Sequence, residues 1–187
     1  MDIDPKTRRR TGVKAAVGFY PLATDIATPK QVEAMLATLG DRKEFWTKYP
    51  VPSLAISDPY FDADGQWKGT RRNCPWNGRV WPMINSQIVE GLCYHAERGN
   101  KPAGKLLKEL MKKTVEMVSG ELDGVLGSRV FEHYHPLNGR ASRYRGVDWY
   151  LHSFLMDNIF RVLCGFVIRF GQIQDDPVIY DMPDFKL

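Results

Sequence analysis

Two tryptophans and several polar side chains lie where a loop of this sequence turns into a helix. The stretch from Asn73 to Leu92 has the sequence N-C-P-W-N-G-R-V-W-P-M-I-N-S-Q-I-V-E-G-L, in which Trp76 and Trp81 flank a Pro/Asn/Gly turn. The apolar residues that follow this turn recur at helical spacing. Aromatic rings and polar groups gathered at a helix start predict a ligand-binding junction.

A second polar-aromatic loop, from Val130 to Arg145, also precedes a helical segment and contains F-E-H-Y-H-P-L-N-G. Its Glu132 is compatible with an ordinary solvated carboxylate, because most loop glutamates have no further role. His133 and His135 beside it invite a metal interpretation, yet H-x-H with one carboxylate is not a recognised zinc spacing. We therefore expect neither a metal nor another cofactor.

Composition bounds the class of protein. The chain has 187 residues, of which 43% are hydrophobic and 12% aromatic, which predicts a single folded unit spanning residues 1–187. No apolar run approaches the roughly 18 residues of a membrane span, and no signal-peptide segment is present, so we expect a cytoplasmic protein without membrane contact. The net charge is only +4 and the basic residues are scattered, so no nucleic-acid partner is expected.

Helices account for most of the chain around the two loops. Thr28 as N-cap and Pro29 at the first helical position predict a helix that ends at Gly40. Further predicted helices cover Glu44 to Trp46, about Trp81 to Gly99, Lys101 to Val118, and Val147 to Phe170. Residues 1 to 18 show no helix pattern, and Tyr49 to Asn73 predicts a long ordered loop. The two loops that are richest in polar and aromatic residues both lie just before a helix. Paired helices with such loops at one end of the array suggest a toroid.

Three segments resemble motifs of the (α/α)6-barrel glycoside hydrolases of family 63 and their trehalase- and glucoamylase-like relatives. P-W-N-G-R-V-W-P-M-I-N is similar to W-x-G-P-V-W-x-x-x-N, and F-E-H-Y-H-P-L-N-G is similar to E-x-Y-x-P-x-T-G. V-P-S-L-A-I-S-D-P-Y-F is similar to G-L-x-S-L-x-x-D-x-P-x-Y. The three occur in the family's order, and we extend the resemblance over most of residues 19 to 170. The resemblance implies an all-α, (α/α)6-toroid-like fold.

Length predicts an incomplete barrel. Twelve helices of about 11–12 residues each, together with their connections, need well over 187 residues, and the sequence predicts four or five helices. We therefore expect the C-terminal part of a catalytic domain, about half of the family's helices, with long loops and an extended C-terminal tail. An open half-barrel exposes apolar helix faces, so we expect it to pair with an N-terminal half-barrel or to self-associate.

The resemblance also implies a reaction. Family members hydrolyse with inversion, and their general base is the Glu of the E-x-Y-x-P loop, which matches Glu132 here. The family's general acid is an Asp that has no matching motif in this sequence; Asp148-Trp149 and Asp157-Asn158 are nearest in composition, but both follow the base loop. The expected substrate is an α-glucoside or related oligosaccharide, with the acid in a missing N-terminal half and negligible activity from this chain alone.

The same motifs imply a set of substrate-binding residues. These are Trp76, Asn77, Gly78, Arg79, Trp81 and Tyr134, to which we add Trp149 as a tryptophan at the end of the second loop. A sugar's C–H face lies flat on an indole ring, although such tryptophans can equally be core anchors. Asn77 stands where the family commonly has Arg, and Arg79 stands where it commonly has Pro. Two other classes stay open: a non-catalytic carbohydrate-binding or protein-interaction half-barrel, and, more distantly, a nucleic-acid-binding protein.

Overall fold

The structure is a computed structural model that describes residues 4–65, 75–120, 130–141, 157–159, 161–162, 166–169 and 172–175. Within these residues the chain forms helices first and a short hairpin last. The elements are a 3-10 helix Ala16–Ala23, α1 Pro29–Leu39, a 3-10 helix Pro75–Asn77, α2 Pro82–Ala96, α3 Lys101–Val118, β1 Phe166–Arg169 and β2 Gln172–Asp175.

Helix α1 begins at a reciprocal cap, which confirms the predicted start. The Gln31 backbone N–H donates to Thr28 Oγ1 at 3.4 Å, and the Gln31 side chain accepts from the Thr28 N–H at 2.8 Å. Pro29 follows at the first helical position, where its missing N–H leaves no partner unsatisfied. Val32 and the other apolar residues of the inner face are buried.

Helices α2 and α3 confirm the two predicted long helices and pack against each other. Trp81 is the N-cap residue of α2 and has an extended backbone, so its ring lies at the junction of loop and helix. Asn100 caps α3, because its side-chain oxygen accepts the Ala103 N–H at 3.1 Å. Because α3 begins at Lys101, directly after this cap, the connection from the end of α2 at Ala96 is short.

The 3-10 helix Ala16–Ala23 packs on α2, and the sequence did not predict it. It is only eight residues long and contains Pro21, so it shows no helical periodicity. Gly91 of α2 permits the close approach, since a Cβ there would lie 2.6 Å from Leu22 Cβ. The contact places the N-terminal segment in the main core.

The predicted helix from Glu44 to Trp46 is wrong. The N–H groups of residues 44, 45 and 46 all point to the Asp41 carbonyl, at 3.0, 3.0 and 2.9 Å. Because three donors converge on one acceptor, no i to i−4 ladder can propagate. The segment is a single hydrogen-bonded turn.

The predicted helix from Val147 to Phe170 is wrong at its C-terminal end. Residues 157–159 and 161–162 are helical, but β1 and β2 form an antiparallel pair with Phe166 opposite Asp175 and Arg169 opposite Gln172. The F-V-I-R segment contains the β-branched residues Val167 and Ile168, and Q-I-Q-D contains Ile173. The two segments flank Gly171, which favours a hairpin. Residues 142–156 and the predicted extended tail lie outside the described residues.

The described residues form one large and one small core cluster. The large one joins α1, α2, α3 and the 3-10 helix Ala16–Ala23. The small one consists of Tyr49, Val80, Met117 and Tyr134 and lies beneath the loop that contains Glu132. In the part of the chain that the structure describes, no helix has the length and apolar character that crossing a membrane requires.

Candidate active site

The three motif segments of the sequence meet in the fold through backbone pairing at Val80. Val80 forms antiparallel bridges with Pro52 on one side and with Tyr134 on the other. The Val80 N–H donates to the Tyr134 carbonyl at 2.9 Å, and the Tyr134 N–H donates back to the Val80 carbonyl at 2.8 Å. On the other side, the Ser53 N–H donates to the Arg79 carbonyl at 2.8 Å. The tryptophan-bearing turn therefore lies next to the Glu132 loop.

Ser53 fixes the turn that carries Trp76, a role that the sequence did not predict. The Ser53 hydroxyl donates to the Trp76 carbonyl at 2.8 Å and accepts the Gly78 N–H at 3.1 Å. Ser53 is buried, and the bond from the Gly78 N–H is buried with it. The serine is part of the V-P-S-L motif, which is the signal that could have identified it.

Gly78 has a steric reason to be glycine. A Cβ at this position would lie 2.9 Å from the Asp62 carbonyl oxygen and 3.0 Å from the Phe61 ring. The Asp62 N–H donates to the Asn77 carbonyl at 2.8 Å, so the 62–65 segment is held against the turn by its backbone. Asn77 and Gly78, which were predicted to bind sugar, thus contact Asp62 of the long loop that follows Tyr49.

Trp76 and Trp81 form a parallel stack. Their ring centroids are 3.7 Å apart and their planes differ by 4°. Trp81 is 3% exposed and its Nε1–H donates to the Pro75 carbonyl at 3.1 Å, whereas Trp76 is 37% exposed. In this arrangement Trp81 supports the stack from below, and Trp76 is the ring that solvent reaches.

His133 packs against Trp81, with ring centroids 4.7 Å apart and planes at 44°. It is only 1% exposed. Burial lowers the pKa of His133 to about 3, and the nearby Arg79 guanidinium acts in the same direction. The imidazole is therefore neutral at physiological pH, and it fixes the backbone beside Glu132 to the tryptophan stack.

Glu132 occupies the bend between Phe131 and His133 and is half-buried. The bend is closed by Tyr134, whose Oη accepts the Phe131 N–H at 2.9 Å. Tyr134 itself is fully buried. Its position gives it a structural role around Glu132; its contact with a sugar stays a prediction, as do those of the other six residues predicted to bind substrate.

His135 joins the Glu132 loop to the long loop. Its Nδ1 accepts the Leu137 N–H at 3.1 Å, and its Nε2 lies 3.3 Å from Asp64 Oδ1. Burial and the charge of Arg79 lower the pKa of His135, while Asp64 acts in the opposite direction. Arg79 is buried, so its charge acts on both histidines of the loop.

Trp149 is the remaining residue predicted to bind substrate, and Asp148-Trp149 and Asp157-Asn158 are the pairs nearest in composition to the family's acid. Trp149 and Asp148 lie outside the part of the chain that the structure describes. Asp157 is exposed, and Asn158 is buried and donates to Glu90 Oε1 at 2.9 Å on α2. Among the described residues, no group of three or more His, Cys, Asp or Glu side chains could hold a metal ion.

Residues 1–153 match the family model for the mannosylglycerate hydrolase MGH1-like glycoside hydrolase domain. The chain belongs to this family. The resemblance to family 63 glycoside hydrolases that the three motifs predicted is thereby confirmed, and the motifs all fall inside the matched residues.

Individual relatives of this glycoside hydrolase domain cover most of the chain. A mannosylglycerate hydrolase of Thermus thermophilus is 27% identical over 140 residues, which is 73% of this chain and 28% of the relative. The MGH2 mannosylglycerate hydrolase of Selaginella moellendorffii is 27% identical over 127 residues, or 68% of this chain and 21% of the relative. An uncharacterised protein of Borreliella burgdorferi is 23% identical over 186 residues, which is 94% of this chain and 36% of the relative. The chain thus spans between 21% and 36% of the length of these three relatives.

Solved structures confirm the helical barrel fold. A family 63 mannosylglycerate hydrolase of Thermus thermophilus, solved in complex with glucose, aligns with a TM-score of 0.55 and 23% identity. The alignment covers 84% of this chain and 31% of that one. The predicted (α/α)6-toroid-like class is correct, and the described helices form part of such a toroid.

Proposed function

We propose that this chain is part of an inverting glycoside hydrolase in which Glu132 is the general base. The observation that carries the proposal is the pairing of Val80 with Tyr134, because it holds the Glu132 loop beside the Trp76 stack. A sugar that lies on an aromatic ring next to a carboxylate presents its anomeric carbon to a water molecule that the carboxylate can deprotonate.

The reaction needs two carboxyl groups. Glu132 takes a proton from water as the water oxygen attacks the anomeric carbon, the glycosidic C–O bond breaks, and a carboxylic acid protonates the leaving oxygen. The two groups stand roughly 6.5–9.5 Å apart in inverting enzymes, which leaves space for the water. Because no motif here matches the family's acid, we assign it to the part of the relatives that this chain does not cover.

The proposed substrate is a small glycoside of an acidic alcohol, with mannosylglycerate as the first probe. Three relatives are named mannosylglycerate hydrolases, and another is a probable mannosyl-oligosaccharide glucosidase. The family 63 enzyme of Thermus thermophilus has also been solved with Tris and D-glycerate. The α-glucosides expected from the sequence are retained as the second substrate class to be assayed.

The substrate-binding residues divide by exposure. Trp76 is proposed as the ring on which the sugar lies, because it is the exposed member of the stack. Trp81, Gly78 and Tyr134 are proposed to act through their support of Trp76 and Glu132. Asn77 and Arg79 remain proposed ligand contacts because they lie in the first motif, although both differ from the family's usual residues there. Trp149 remains a proposed contact as a loop-end tryptophan.

The proposal is tested in a completed barrel, meaning residues 1–187 together with the segment that supplies the remaining helices. Glu132→Gln is expected to lower turnover of mannosylglycerate by roughly 10²–10⁴-fold while sugar binding is kept. Glu33→Gln, on the exposed face of α1, is the matched control and should leave turnover unchanged. Equal turnover of the Glu132 variant and wild type would reject the base assignment.

A non-catalytic carbohydrate-binding half-barrel is the second candidate, since only one of the two required carboxyl groups has a motif match. It predicts sugar binding that depends on Trp76 but no Glu132-dependent turnover in the completed barrel. The 187-residue chain alone is expected to show negligible hydrolysis under the first proposal as well. Robust hydrolysis by the purified chain would contradict the assignment of the acid to another segment.

A further inference from the structure

Besides Val80, Tyr49 of the small core cluster also contacts the Glu132 loop through its backbone. The Tyr49 N–H donates to the Pro136 carbonyl at 2.9 Å, and the Tyr49 carbonyl accepts the Thr47 hydroxyl at 2.7 Å. The ring of Tyr49 is 1% exposed and packs in the cluster with Tyr134. The backbone N–H and carbonyl of Tyr49 are thus both hydrogen-bonded, and its ring packs beneath the loop.

The phenol of Tyr49 extends the connection to α3. Tyr49 Oη donates to Glu116 Oε1 at 2.8 Å, and Lys113 Nζ donates to Glu116 Oε2 at 3.1 Å. Both oxygens of the Glu116 carboxylate therefore have a partner. The next residue of the helix, Met117, is buried in the same cluster as Tyr49. Tyr49 consequently connects the two elements: its phenol binds the last turns of α3, and its backbone binds the Glu132 loop.

Charge makes this link strong over a wide pH range. Burial, followed by the hydrogen bond to Glu116, raises the pKa of Tyr49 to about 12. Burial opposes ionisation of Glu116, but hydrogen bonds from Tyr49 and Lys113 prevail and lower its pKa. The ammonium groups of Lys48 and Lys113 lie 5.5 and 5.2 Å from the Tyr49 ring centroid. A neutral phenol bound to an ionised carboxylate is the stronger class of hydrogen bond.

We propose that Tyr49 and Glu116 are a positioning pair for Glu132, which hold residues 131–141 on the end of α3. The inference rests on the proposed role of Glu132 as general base. A general base must be held within a fraction of an ångström of its working position, and a displacement of about 1 Å can cost about a hundredfold in rate. Neither residue contacts the sugar; both act through the backbone of the loop.

Hydrogen exchange on the 187-residue chain tests the link without any assay of activity. Tyr49→Phe and Glu116→Ala are expected to speed exchange of the His135 and Gly139 amides by roughly tenfold to hundredfold. Both amides are bonded within the loop, His135 to Arg140 and Gly139 to His135. Exchange in the middle of α2 should not change, which separates loosening of the loop from global unfolding.

Two further variants make the test specific. Glu116→Gln keeps an oxygen that can accept the Tyr49 hydroxyl and should restore most of the protection that Glu116→Ala loses. Tyr94→Phe removes a tyrosine–carboxylate hydrogen bond of the same kind, to Asp25, and should leave the loop amides at the wild-type rate. Loop exchange that is no faster in Tyr49→Phe than in Tyr94→Phe would overturn the proposal.

Kinetics in the completed barrel distinguish positioning from simple stabilisation. Tyr49→Phe is expected to lower kcat about tenfold with little change in KM, because the substrate contacts are untouched. An unchanged kcat in a variant with a loosened loop would overturn the positioning role. If Glu132→Gln is as active as wild type, the proposed function fails, whereas the exchange experiment still decides whether Tyr49 and Glu116 hold the loop.

Discussion

The indole of Trp76 lies flat on the indole of Trp81, with ring centroids 3.7 Å apart and planes 4° apart. The inner ring is buried against His133 and bonded to the Pro75 carbonyl, and the outer ring is exposed. Two tryptophans that a sequence motif treats alike therefore have different physical roles. The outer one can contact a ligand, and the inner one maintains the position of the outer one.

Substitution of the two tryptophans should separate these roles. Trp81→Ala removes a buried ring and is expected to lower the free energy of unfolding by about 3–5 kcal/mol. Trp76→Ala is expected to cost much less stability but to abolish the chemical-shift changes that mannose or mannosylglycerate produces at the Trp81 indole N–H. Urea unfolding and an NMR titration measure the two effects. A Trp76→Ala variant that binds the sugar as well as wild type would contradict the proposed platform.

Ser53→Ala should destabilise the turn from Pro75 to Gly78. The change leaves the Gly78 N–H without its acceptor and removes the donor to the Trp76 carbonyl, so a loss of about 1–3 kcal/mol is expected. Ser57→Ala is the control, because that hydroxyl is hydrogen-bonded at an exposed position. Equal unfolding free energies for the two variants would show that Ser53 does not fix the turn.

Gly78→Ala tests the contact between the turn and the long loop. The new methyl group would meet backbone atoms of Asp62 at 2.9 and 3.0 Å, so the two segments must separate. We expect a lower melting temperature and faster proteolysis near residue 62. Gly104→Ala in α3 has space, with the nearest atom 3.8 Å away, and should be neutral or slightly stabilising because alanine favours helix. A Gly78 variant as stable as the Gly104 variant would contradict the packing described.

Acid should destabilise the protein through His133. Its pKa is about 3 in the folded protein and near 6.5 when unfolded, so the unfolded state binds the extra proton between these values. This contribution to stability is complete above about pH 6.5 and is lost as the pH falls toward 3, by at most about 1.4 kcal/mol per pH unit. His133→Phe should flatten the decline in unfolding free energy over that window. A decline of the same slope in wild type and variant would contradict the assignment.

Local signals in the sequence predicted the helices well, because caps and periodicity are properties of neighbouring residues. Thr28 and Pro29 define the start of α1, and the apolar stripe after Trp81 defines α2. The same reasoning failed between residues 166 and 169, where an apolar segment adjoining the helix forms a strand instead. A continuous apolar run does not by itself distinguish a buried helix from a strand.

The candidate site could be predicted as a set of motifs but not as an arrangement. Pro52, Val80 and Tyr134 pair through single bridges, which leave no alternating pattern in the sequence. The bond between Tyr49 and Glu116 joins residues 67 positions apart, and nothing in their immediate surroundings marks either residue. Such contacts depend on how helices and loops pack, so they became visible only in the fold.

Azide rescue of Glu132→Ala in the completed barrel tests most directly whether Glu132 is the general base. Removal of the base leaves room for azide, whose nitrogen can bond to the anomeric carbon as the glycosidic C–O bond breaks. We expect a mannosyl azide of inverted configuration, detected by NMR, together with restored turnover. Near-wild-type hydrolysis by Glu132→Ala, or an azide product of retained configuration, would contradict the assignment of Glu132 as the base of an inverting glycoside hydrolase.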